Sequence, residues 1–421
     1  MTKYPTIILK PDREIHLKNH HHAIYKNAVE SLTGIETGEI VEVKSSKGEF
    51  LCYATMNTRA YICGRAISFE EGDPMATLEK NIKRAVKIRE TFFQSEDTDS
   101  YRLINAEGDE IPGLIVDKYG PILVVQLTTL GMDRLRTWIA NLLMEVCEPK
   151  AIFEKSTGAA RKKEGLEPKE GWLKSTGPDR IKIKERGLTY LIDLVGTRSL
   201  AEAGSTLREK NATEHAREYP TAKAGQKTGL FLDQREMRSL VKQFAAGRTV
   251  LDCCSYVGGF SLSALAGGAT SADAVDYDAP ALERAKEHMA INGIAADQFK
   301  TYPMDVFDFL RQRPLPHAYD FIIVDPPAFA KRSSDLDQAK GAYTDLNRLA
   351  FQALTPGGLL LTCSCSYQVD SALFQTIVFH AARQAKRNVR ILQRHRHAFD
   401  HPVNLYHPEV DYLKSLLLWV E

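Results

Sequence analysis

The second half of the chain alternates short, continuously apolar segments with longer stretches of helical periodicity. The stretch over 279–292 is the clearest helical one. The apolar segments are 250–251, 272–275, 321–324 and 358–361. Strands that are apolar on both faces are typical of parallel sheets covered by helices on both sides. The pattern therefore predicts a Rossmann-like, doubly wound α/β domain over residues 224–421.

Residues 1–73 form a first unit in which apolar and polar residues alternate. Residues 40–44 and 49–55 are separated by a turn at Gly48, which is the pattern of a β-hairpin. Short strands separated by glycines predict a small β-barrel. The polar stretch 70–74, which contains a glycine and a proline, marks the end of this unit.

Residues 74–194 form a second unit of mixed type. Helical periodicity over 77–93 and 132–146 alternates with predicted strands and with a hairpin that turns at Gly187. This order predicts a central α+β domain. Residues 195–223 are polar and are interpreted as a linker or a surface insertion.

Composition excludes several classes of protein. No apolar run in the 421 residues reaches the roughly 18 residues that cross a bilayer, and the stretch after Met1 is too short for a signal peptide. The seven cysteines do not form the pattern of a disulfide framework, which predicts a reduced, cytoplasmic protein without a membrane partner. With a net charge of +1, any nucleic-acid surface must be a local basic patch.

The turn after the first apolar segment carries the first candidate binding site. Asp252 ends the predicted strand, and Gly258-Gly259 lie in the turn into the next helix. In open α/β sheets, ligands bind beyond the carboxyl ends of the strands, where glycine lets the backbone approach them closely. Asp276 and Asp305 end the next two strands, where they suit the hydroxyl groups of a ribose and the amino group of an adenine.

This turn favours S-adenosyl-L-methionine over a dinucleotide. Dinucleotide binding predicts Gly-x-Gly-x-x-Gly, which cradles a pyrophosphate at a helix N-terminus, whereas this turn has only a pair of glycines. The carboxylate of Asp252 would repel a phosphate but attract the ammonium group of the methionine moiety. Because acids end three successive strands, a purely structural turn is the less favoured interpretation.

Two cysteines and an acidic loop follow the last two apolar segments. Cys363 and Cys365 face the same side only if their strand continues through both, and Asp325 is held in its loop by two prolines. A thiolate that adds to C6 of cytosine makes C5 nucleophilic, and an acid near N3 assists the addition. We assign the thiolate to one of the cysteines and the acid to Asp325, although a strand-end cysteine is more often a small buried residue.

No metal site is predicted from the sequence. Cys253-Cys254 and the pair Cys363 and Cys365 lack the gap of two to four residues that is typical of zinc ligands. We interpret Cys253 and Cys254 as small buried residues. The histidines between 395 and 407 are interpreted as packed or solvated side chains.

Four segments together resemble those of the bacterial 23S rRNA cytosine-5 methyltransferase I family. They are residues 226–235, 256–260, 325–329 and 362–366, and the resemblance extends over nearly the whole chain. Members of this family have an N-terminal PUA domain, a central α+β domain and a C-terminal class I methyltransferase domain, which correspond to the three units above. The resemblance implies S-adenosyl-L-methionine as cofactor and ribosomal RNA as partner, and it leaves a homodimer open.

The resemblance also implies roles for individual residues. Cys365 precedes a serine in the last segment, as the attacking cysteine does in related enzymes, and Asp325 is its catalytic partner. Because Pro327 stands where some relatives carry a second cysteine, Cys363 is implied to be supporting or structural. The implied cofactor-binding residues are Phe231, Asp233, Asp252, Tyr256, Gly258, Asp276, Asp305 and Asp325. The implied substrate-binding residues are Pro326, Pro327, Phe329 and Lys331, with Phe329 stacking on an extruded base.

Two features bear on RNA binding. Residues 155–186 carry a run of lysines and arginines, which is interpreted either as a phosphate-binding surface or as a solvated face. The first unit has Asn19-His20-His21-His22 where relatives show a Gly-His-Pro-Trp-type stretch, so it departs from the family pattern there.

Two other functions remain open at this point. Methylation of a ring or exocyclic nitrogen of guanine or adenine would use Asp325 and the proline carbonyls without a cysteine. Ala328 separates the prolines from the aromatic ring of Phe329, which disfavours this alternative. A non-catalytic RNA-binding factor for ribosome assembly would leave the three acids and Cys365 without a role.

Overall fold

The computed structural model describes residues 4–194, 229–330 and 332–421. The linker predicted at 195–223, the first part of the 226–235 segment and Lys331 lie outside the described residues. None of the described helices is long and apolar enough to cross a membrane.

The first five strands form a small barrel-like sheet. They are β1 (Thr6–Ile8), β2 (Ala23–Tyr25), β3 (Ile40–Lys44), β4 (Phe50–Met56) and β5 (Ile62–Ser68). They lie in the order β1-β3-β4-β5-β2, and a bridge between Leu9 and Val29 joins the two edges. A short helix that the sequence pattern did not predict, α1 (Ile15–Lys18), lies between β1 and β2.

The central unit contains a second five-stranded sheet, in the order β10-β9-β8-β7-β6. Its strands are β6 (Ser100–Asn105), β7 (Leu114–Tyr119), β8 (Ile122–Leu127), β9 (Ala151–Ser156) and β10 (Lys169–Lys174). Helix α2 (Pro74–Phe92) begins earlier than the periodicity indicates. The carboxylate of Asp73 accepts a hydrogen bond from the Met75 amide, and proline is well suited to the first helical turn.

The rest of the central unit differs from the prediction in one helix. The single helix predicted over 132–146 is two helices, α3 (Leu130–Arg134) and α4 (Arg136–Cys147), which meet at Leu135. A short helix, α5 (Ala159–Lys163), follows β9. The predicted hairpin is present as β11 (Arg180–Glu185) and β12 (Leu188–Asp193).

The C-terminal unit is built on a seven-stranded sheet. Its strands are β13 (Thr249–Cys253), β14 (Ser271–Asp276), β15 (Phe299–Pro303), β16 (Tyr319–Val324), β17 (Leu354–Ser364), β18 (Val389–His395) and β19 (Lys414–Val420). They lie in the order β15-β14-β13-β16-β17-β19-β18, and β19 runs antiparallel to both of its neighbours. The helices are α6 (Arg235–Phe244), α7 (Gly259–Ala266), α8 (Ala279–Ile291), α9 (Val306–Arg311), α10 (Leu336–Ala353) and α11 (Ser371–Gln384).

Both faces of this sheet are buried, as the continuous apolar segments predict. Val250 and Phe321 belong to the core on one side, whereas their chain neighbours Leu251 and Ile322 belong to the core on the other side. Alternate residues of a strand point to opposite faces. The apolar segments are therefore explained by helices on both sides of the sheet.

A buried group of charged side chains joins the central and C-terminal units. Glu185 of β11 accepts hydrogen bonds of 2.6 and 2.7 Å from Arg238 and forms an ion pair with Arg235 at 3.2 Å. Arg235 also pairs with Asp400 at 2.9 Å and donates to the backbone oxygen of Ser100 at 2.7 Å. Since both arginines lie in the first turn of α6, this group fixes the start of that helix against the central unit.

Candidate active site

The carboxyl ends of β13, β14, β15, β16 and β17 meet at one edge of the large sheet. The chain passes from β13 to β14 and β15 on one side, and then returns across β13 to β16 on the other. This reversal leaves a crevice between β13 and β16, where open α/β sheets bind ligands. The predicted site residues Asp252, Asp276, Asp305, Asp325 and Cys365 all lie at this edge.

The turn after β13 has an unusual backbone. Cys254, Tyr256 and Gly258 have positive φ angles of 61°, 49° and 72°. Residues other than glycine rarely adopt positive φ angles, and those that do are concentrated at functional sites. A Cβ atom on Gly258 would lie 2.8 Å from the Cβ of Ala285 in α8. Glycine is therefore required here by its φ angle and by helix packing, and not only by the approach of a ligand.

Asp276 closes this turn from the neighbouring strand. Its two carboxylate oxygens accept hydrogen bonds, both of 2.8 Å, from the backbone amides of Tyr256 and Asp278. An ionised carboxylate has about four acceptor positions, so it also suits a pair of neighbouring hydroxyl groups. Phe231 packs edge-on against Tyr256 with ring centroids 5.2 Å apart, which brings the 226–235 segment to the same turn.

Asp305 lies at the start of α9. Its Oδ1 atom accepts hydrogen bonds from the amides of Phe307 at 2.8 Å and Asp308 at 3.2 Å. Burial raises the pKa of its carboxyl group. Because both bonds use Oδ1, the Oδ2 atom is available to a donor such as an amino group.

Asp252 is fully buried beneath the turn. Its Oδ2 atom accepts hydrogen bonds from the amide and the hydroxyl of Ser261, at 3.0 and 2.7 Å. Burial raises the pKa of its carboxyl group to about 7. Among the described residues, no partner reaches Oδ1 of Asp252 or the hydroxyl of Ser255, and buried polar atoms without partners are rare. An ammonium group would satisfy Asp252 and favour its charged form, so these residues fit S-adenosyl-L-methionine.

Asp325 is oriented by a residue that the sequence analysis did not single out. Nε2 of Gln234 donates hydrogen bonds of 2.9 Å to both carboxylate oxygens of Asp325. Gln234 lies in the same segment as Phe231 and Asp233, and only its position in that segment could have indicated it. This contact connects the 226–235 segment directly to the acidic loop.

Asp233 is buried against the segment that precedes β19. It is 1% exposed, and its Oδ2 atom accepts a hydrogen bond of 2.5 Å from the hydroxyl of Tyr412. Its backbone oxygen accepts a second bond of 3.0 Å from the amide of Ala398. These two bonds hold the segment before β19 in place, and the cofactor contact that the resemblance implies for Asp233 stays a prediction.

Cys365 follows the last residue of β17 and lies beside the acidic loop. Its Sγ atom is 3.8 Å from the backbone oxygen of Pro326. The strand ends between the two cysteines, since Cys363 is fully buried in the core while Cys365 is partly exposed. Burial raises the pKa of the Cys363 thiol well above its usual value, which suits a packing residue.

Hydroxyl groups on both sides of Cys365 hold its backbone. Tyr343 of α10 forms hydrogen bonds with the hydroxyls of Ser366 at 2.8 Å and Ser364 at 3.0 Å. The hydroxyl of Ser366 also accepts a bond of 3.2 Å from the amide of Ala330. The bend that carries Cys365 is thus fixed to α10 and to the acidic loop.

A lysine that the sequence analysis did not single out lies beside Cys365. Lys414 of β19 is opposite Ser364 in the sheet and is 6% exposed. Its ammonium group donates to the backbone oxygens of Ser366 at 2.5 Å and Tyr412 at 2.9 Å. Burial lowers the pKa of Lys414 to about 8, and Cys365 is the largest electrostatic influence that opposes this shift. A lysine cation in this position favours the thiolate form of Cys365.

The structure does not present Phe329 for stacking on a base. Phe329 is 5% exposed, and its ring packs against Tyr343 with centroids 4.7 Å apart. The apolar surface around α10 explains this burial, since an aromatic ring gains more by packing there than by facing water. Pro326 is buried and Pro327 is partly exposed at the crevice. Lys331 lies outside the described residues.

The basic run over 155–186 is only partly a surface feature. Lys155 and Arg161 are buried, and Arg161 forms an ion pair with Asp133 at 2.8 Å. Two other members, Lys182 and Lys184, are exposed on the hairpin. The phosphate-binding interpretation therefore applies only to the exposed members of the run.

Comparison with solved structures agrees with the fold. A candidate SAM-dependent methyltransferase from Streptococcus mutans is 23% identical, covers 99% of this chain and all of its own, and superposes with a TM-score of 0.78. A candidate methyltransferase solved in complex with SAH is also 23% identical over 99% of this chain, with a TM-score of 0.79.

Comparison with family models and curated proteins identifies the family of this chain. The model for S-adenosylmethionine-dependent methyltransferases matches residues 211–406, and the model for PUA-like domains matches residues 7–69. A ribosomal RNA large subunit methyltransferase I from Shewanella denitrificans is 36% identical over 98% of both chains. A protein of the same name from Photobacterium profundum is 34% identical over 99% of both chains. The chain therefore belongs to the ribosomal RNA large subunit methyltransferase I family, with a PUA-like domain followed by an S-adenosylmethionine-dependent methyltransferase domain.

Proposed function

We propose that this protein methylates C5 of a cytosine in large-subunit ribosomal RNA through a covalent bond between Cys365 and C6 of the base. The names of the curated relatives support ribosomal RNA as the substrate. The position of Cys365 is the observation that favours cytosine C5 as the methylated atom. Cys365 is partly exposed, and it lies beside Pro326 and the buried Lys414. Methylation of a nitrogen needs no such thiol.

In this proposal, the turn between β13 and α7 would hold the cofactor. Asp276 would accept hydrogen bonds from the ribose hydroxyls, and Asp305 would accept one from the adenine amino group. Asp252 attracts the methionine ammonium group, while Phe231 and Tyr256 form an apolar wall of the pocket. When bound, S-adenosyl-L-methionine supplies the methyl group, which C5 takes as the methyl–sulfur bond breaks.

Cys365 and Asp325 act on the base. The thiolate of Cys365 adds to C6, so that C5 becomes the nucleophilic carbon. Asp325, held by Gln234, faces N3, where a proton or a strong hydrogen bond stabilises the charge that develops on the ring. After methylation, a base in the solvent removes the C5 proton, the C5=C6 double bond returns, and the thiolate leaves.

Replacing Asp276 by alanine is expected to weaken cofactor binding. The variant loses charge-assisted hydrogen bonds to the ribose, which contribute roughly 1.5–3 kcal/mol, or about a 10- to 150-fold increase in Kd. Isothermal titration with S-adenosyl-L-methionine measures this change. Asp278→Ala removes the same charge two residues away, at the cap of α8, and should have a much smaller effect. Equal affinities for wild type and Asp276→Ala would contradict the ribose assignment.

Replacing Lys414 by methionine is expected to slow the alkylation of Cys365. Without the lysine cation, the thiolate fraction near pH 7 falls, and the rate with iodoacetamide falls by about tenfold or more. The modified peptide can be quantified by mass spectrometry, so that the other cysteines do not interfere. Lys414→Arg keeps the charge and should retain most of the rate. An unchanged rate in Lys414→Met would show that the lysine does not support the thiolate.

The identity of the methylated nucleoside tests the proposed reaction. Unmodified ribosomal RNA is incubated with the protein and methyl-labelled S-adenosyl-L-methionine, and the digested nucleosides are separated by mass spectrometry. We expect labelled 5-methylcytidine. A labelled guanosine or adenosine would favour nitrogen methylation, and RNA binding without any labelled product would favour an assembly factor.

A further inference from the structure

A second group of chemically active side chains lies between the N-terminal barrel and the segment that precedes β19. His21 follows α1, whereas His407 and Glu409 lie more than 380 positions later in the chain. One possible ligand atom from each of the three residues lies within 4.8 Å of the other two. The proposed methyl transfer uses none of these residues, and the histidine run at 20–22 is where the chain departs from the family pattern.

The spacing of these atoms approaches that of metal ligands. Nε2 of His21 lies 3.4 Å from one carboxylate oxygen of Glu409, and Nε2 of His407 lies 3.9 Å from the other. Zinc bonds of about 2.0–2.2 Å in a tetrahedron place ligand atoms roughly 3.4 Å apart. The two imidazole rings stack almost parallel with centroids 4.2 Å apart, so both rings must rotate before their nitrogens can bind one ion.

Two further ring nitrogens of this region are buried and have no partner among the described residues. One is Nε2 of His22, whose Nδ1 lies 2.8 Å from the backbone oxygen of Ala66, and the other is Nδ1 of His407. A bond from Nδ1–H of His22 to that oxygen leaves a lone pair on Nε2. This is the usual arrangement of a histidine that binds a metal. The ring of His22 lies 6.2 Å from the ring of His407, so His22 borders the group of three without belonging to it.

One existing contact must be given up for His21 to act as a ligand. Its Nδ1 atom accepts a hydrogen bond of 3.2 Å from the amide of Ala23, so the proton of the neutral ring lies on Nε2. Metal binding at Nε2 moves that proton to Nδ1 and breaks this long hydrogen bond. A single weak bond is a small loss compared with two imidazole–metal bonds and one carboxylate–metal bond.

We propose that His21, His407 and Glu409 bind a zinc-type divalent ion that joins the N-terminal barrel to the C-terminal domain. Imidazole and carboxylate ligands suit zinc and its neighbours among the transition metals, whereas magnesium prefers oxygen ligands only. The side chain of Glu409 is 46% exposed, so the ion can enter from solvent without opening the fold. Bound metal would fix the orientation of the barrel relative to the crevice that holds Cys365.

Titration of the chelator-treated full chain with Zn²⁺ tests this proposal. Wild type is expected to bind one equivalent, and His407→Ala and Glu409→Gln are expected to raise Kd at least tenfold. His380→Ala removes an exposed histidine of α11 and should bind as wild type does. Mg²⁺ should not compete with Zn²⁺.

Thermal unfolding gives a second readout that does not depend on methyl transfer. Zinc should raise the Tm of wild type and of His380→Ala, because a ligand that binds only the folded state stabilises it. It should leave the Tm of His407→Ala and Glu409→Gln almost unchanged. Absence of one-to-one binding in wild type would overturn the proposal. So would equal affinity in wild type and Glu409→Gln, an exposed substitution that preserves side-chain shape.

Discussion

Cys365→Ala is expected to reduce methyl transfer to background, a loss of about 10⁴-fold or more, as for other enzymes that lose their nucleophile. Without the thiolate, C6 receives no nucleophile and C5 stays unreactive. Cofactor affinity should remain close to that of wild type, because none of the acids that hold the cofactor is altered. Rates from labelled S-adenosyl-L-methionine and affinities from titration separate the two effects.

Cys363→Ala is the matched control for this experiment. Cys363 is two residues away but is fully buried in the core. Its replacement should lower stability slightly and leave most of the transfer rate. Full activity in Cys365→Ala, or loss of activity only in Cys363→Ala, would show that another residue is the nucleophile.

Glu185→Ala is expected to lower the free energy of unfolding by about 3–5 kcal/mol, because it leaves the buried Arg238 without its carboxylate and removes one of the two carboxylates that pair with Arg235. Glu185 is 3% exposed and is in contact with both Arg235 and Arg238. Since Arg235 follows Gln234 directly, the variant should also disturb the position of Asp325. Chemical denaturation of wild type and variant measures the loss.

Glu283→Ala removes an exposed carboxylate, whereas Glu185→Ala removes a buried one, and it therefore serves as the control. Its ion pair with Lys286 lies on the surface, with both side chains about half exposed or more. Such pairs contribute at most about 1 kcal/mol. If Glu185→Ala were as mild as Glu283→Ala, the buried group would not be what holds the central and C-terminal units together.

The sheet and the edge that carries the site could be predicted from the sequence. Apolar segments of a parallel sheet identify buried strands, and the carboxyl ends of such strands meet at one edge. For this reason Asp252, Asp276, Asp305 and Asp325 could be placed together without coordinates. Strand order could not be predicted from the apolar segments, since periodicity does not determine which strands are neighbours.

The side chains that support the reactive groups could not be predicted from the sequence. Gln234 is 91 positions from Asp325, and Lys414 is 48 positions from Ser366, so no local pattern connects them. Their contacts exist only because the strands bring distant segments to one edge. The burial of Phe329 depends in the same way on Tyr343 of α10, which follows it by 14 positions.

The prediction of a single helix over 132–146 was wrong, because the structure has two helices there. The periodicity of this stretch is helical throughout, but α3 and α4 meet at Leu135, whose ψ angle of 5° departs from the helical value although its amide still bonds to the oxygen of Gly131. Arg136 and Arg161 both pair with Asp133 beside this break. The pair with Arg136 is local, whereas the pair with Arg161 of α5 is a tertiary contact, which helical periodicity does not describe.

The most direct test of the central claim is to trap the bond between Cys365 and C6. RNA that carries 5-fluorocytidine at the target has no proton to lose from C5, so the thiolate cannot leave after methylation. Mass spectrometry of the digested complex is expected to show methylated fluorocytidine attached to the peptide that contains Cys365, and no attachment in Cys365→Ala. An active wild-type protein that gives no adduct, or an adduct that persists in Cys365→Ala, would contradict the mechanism.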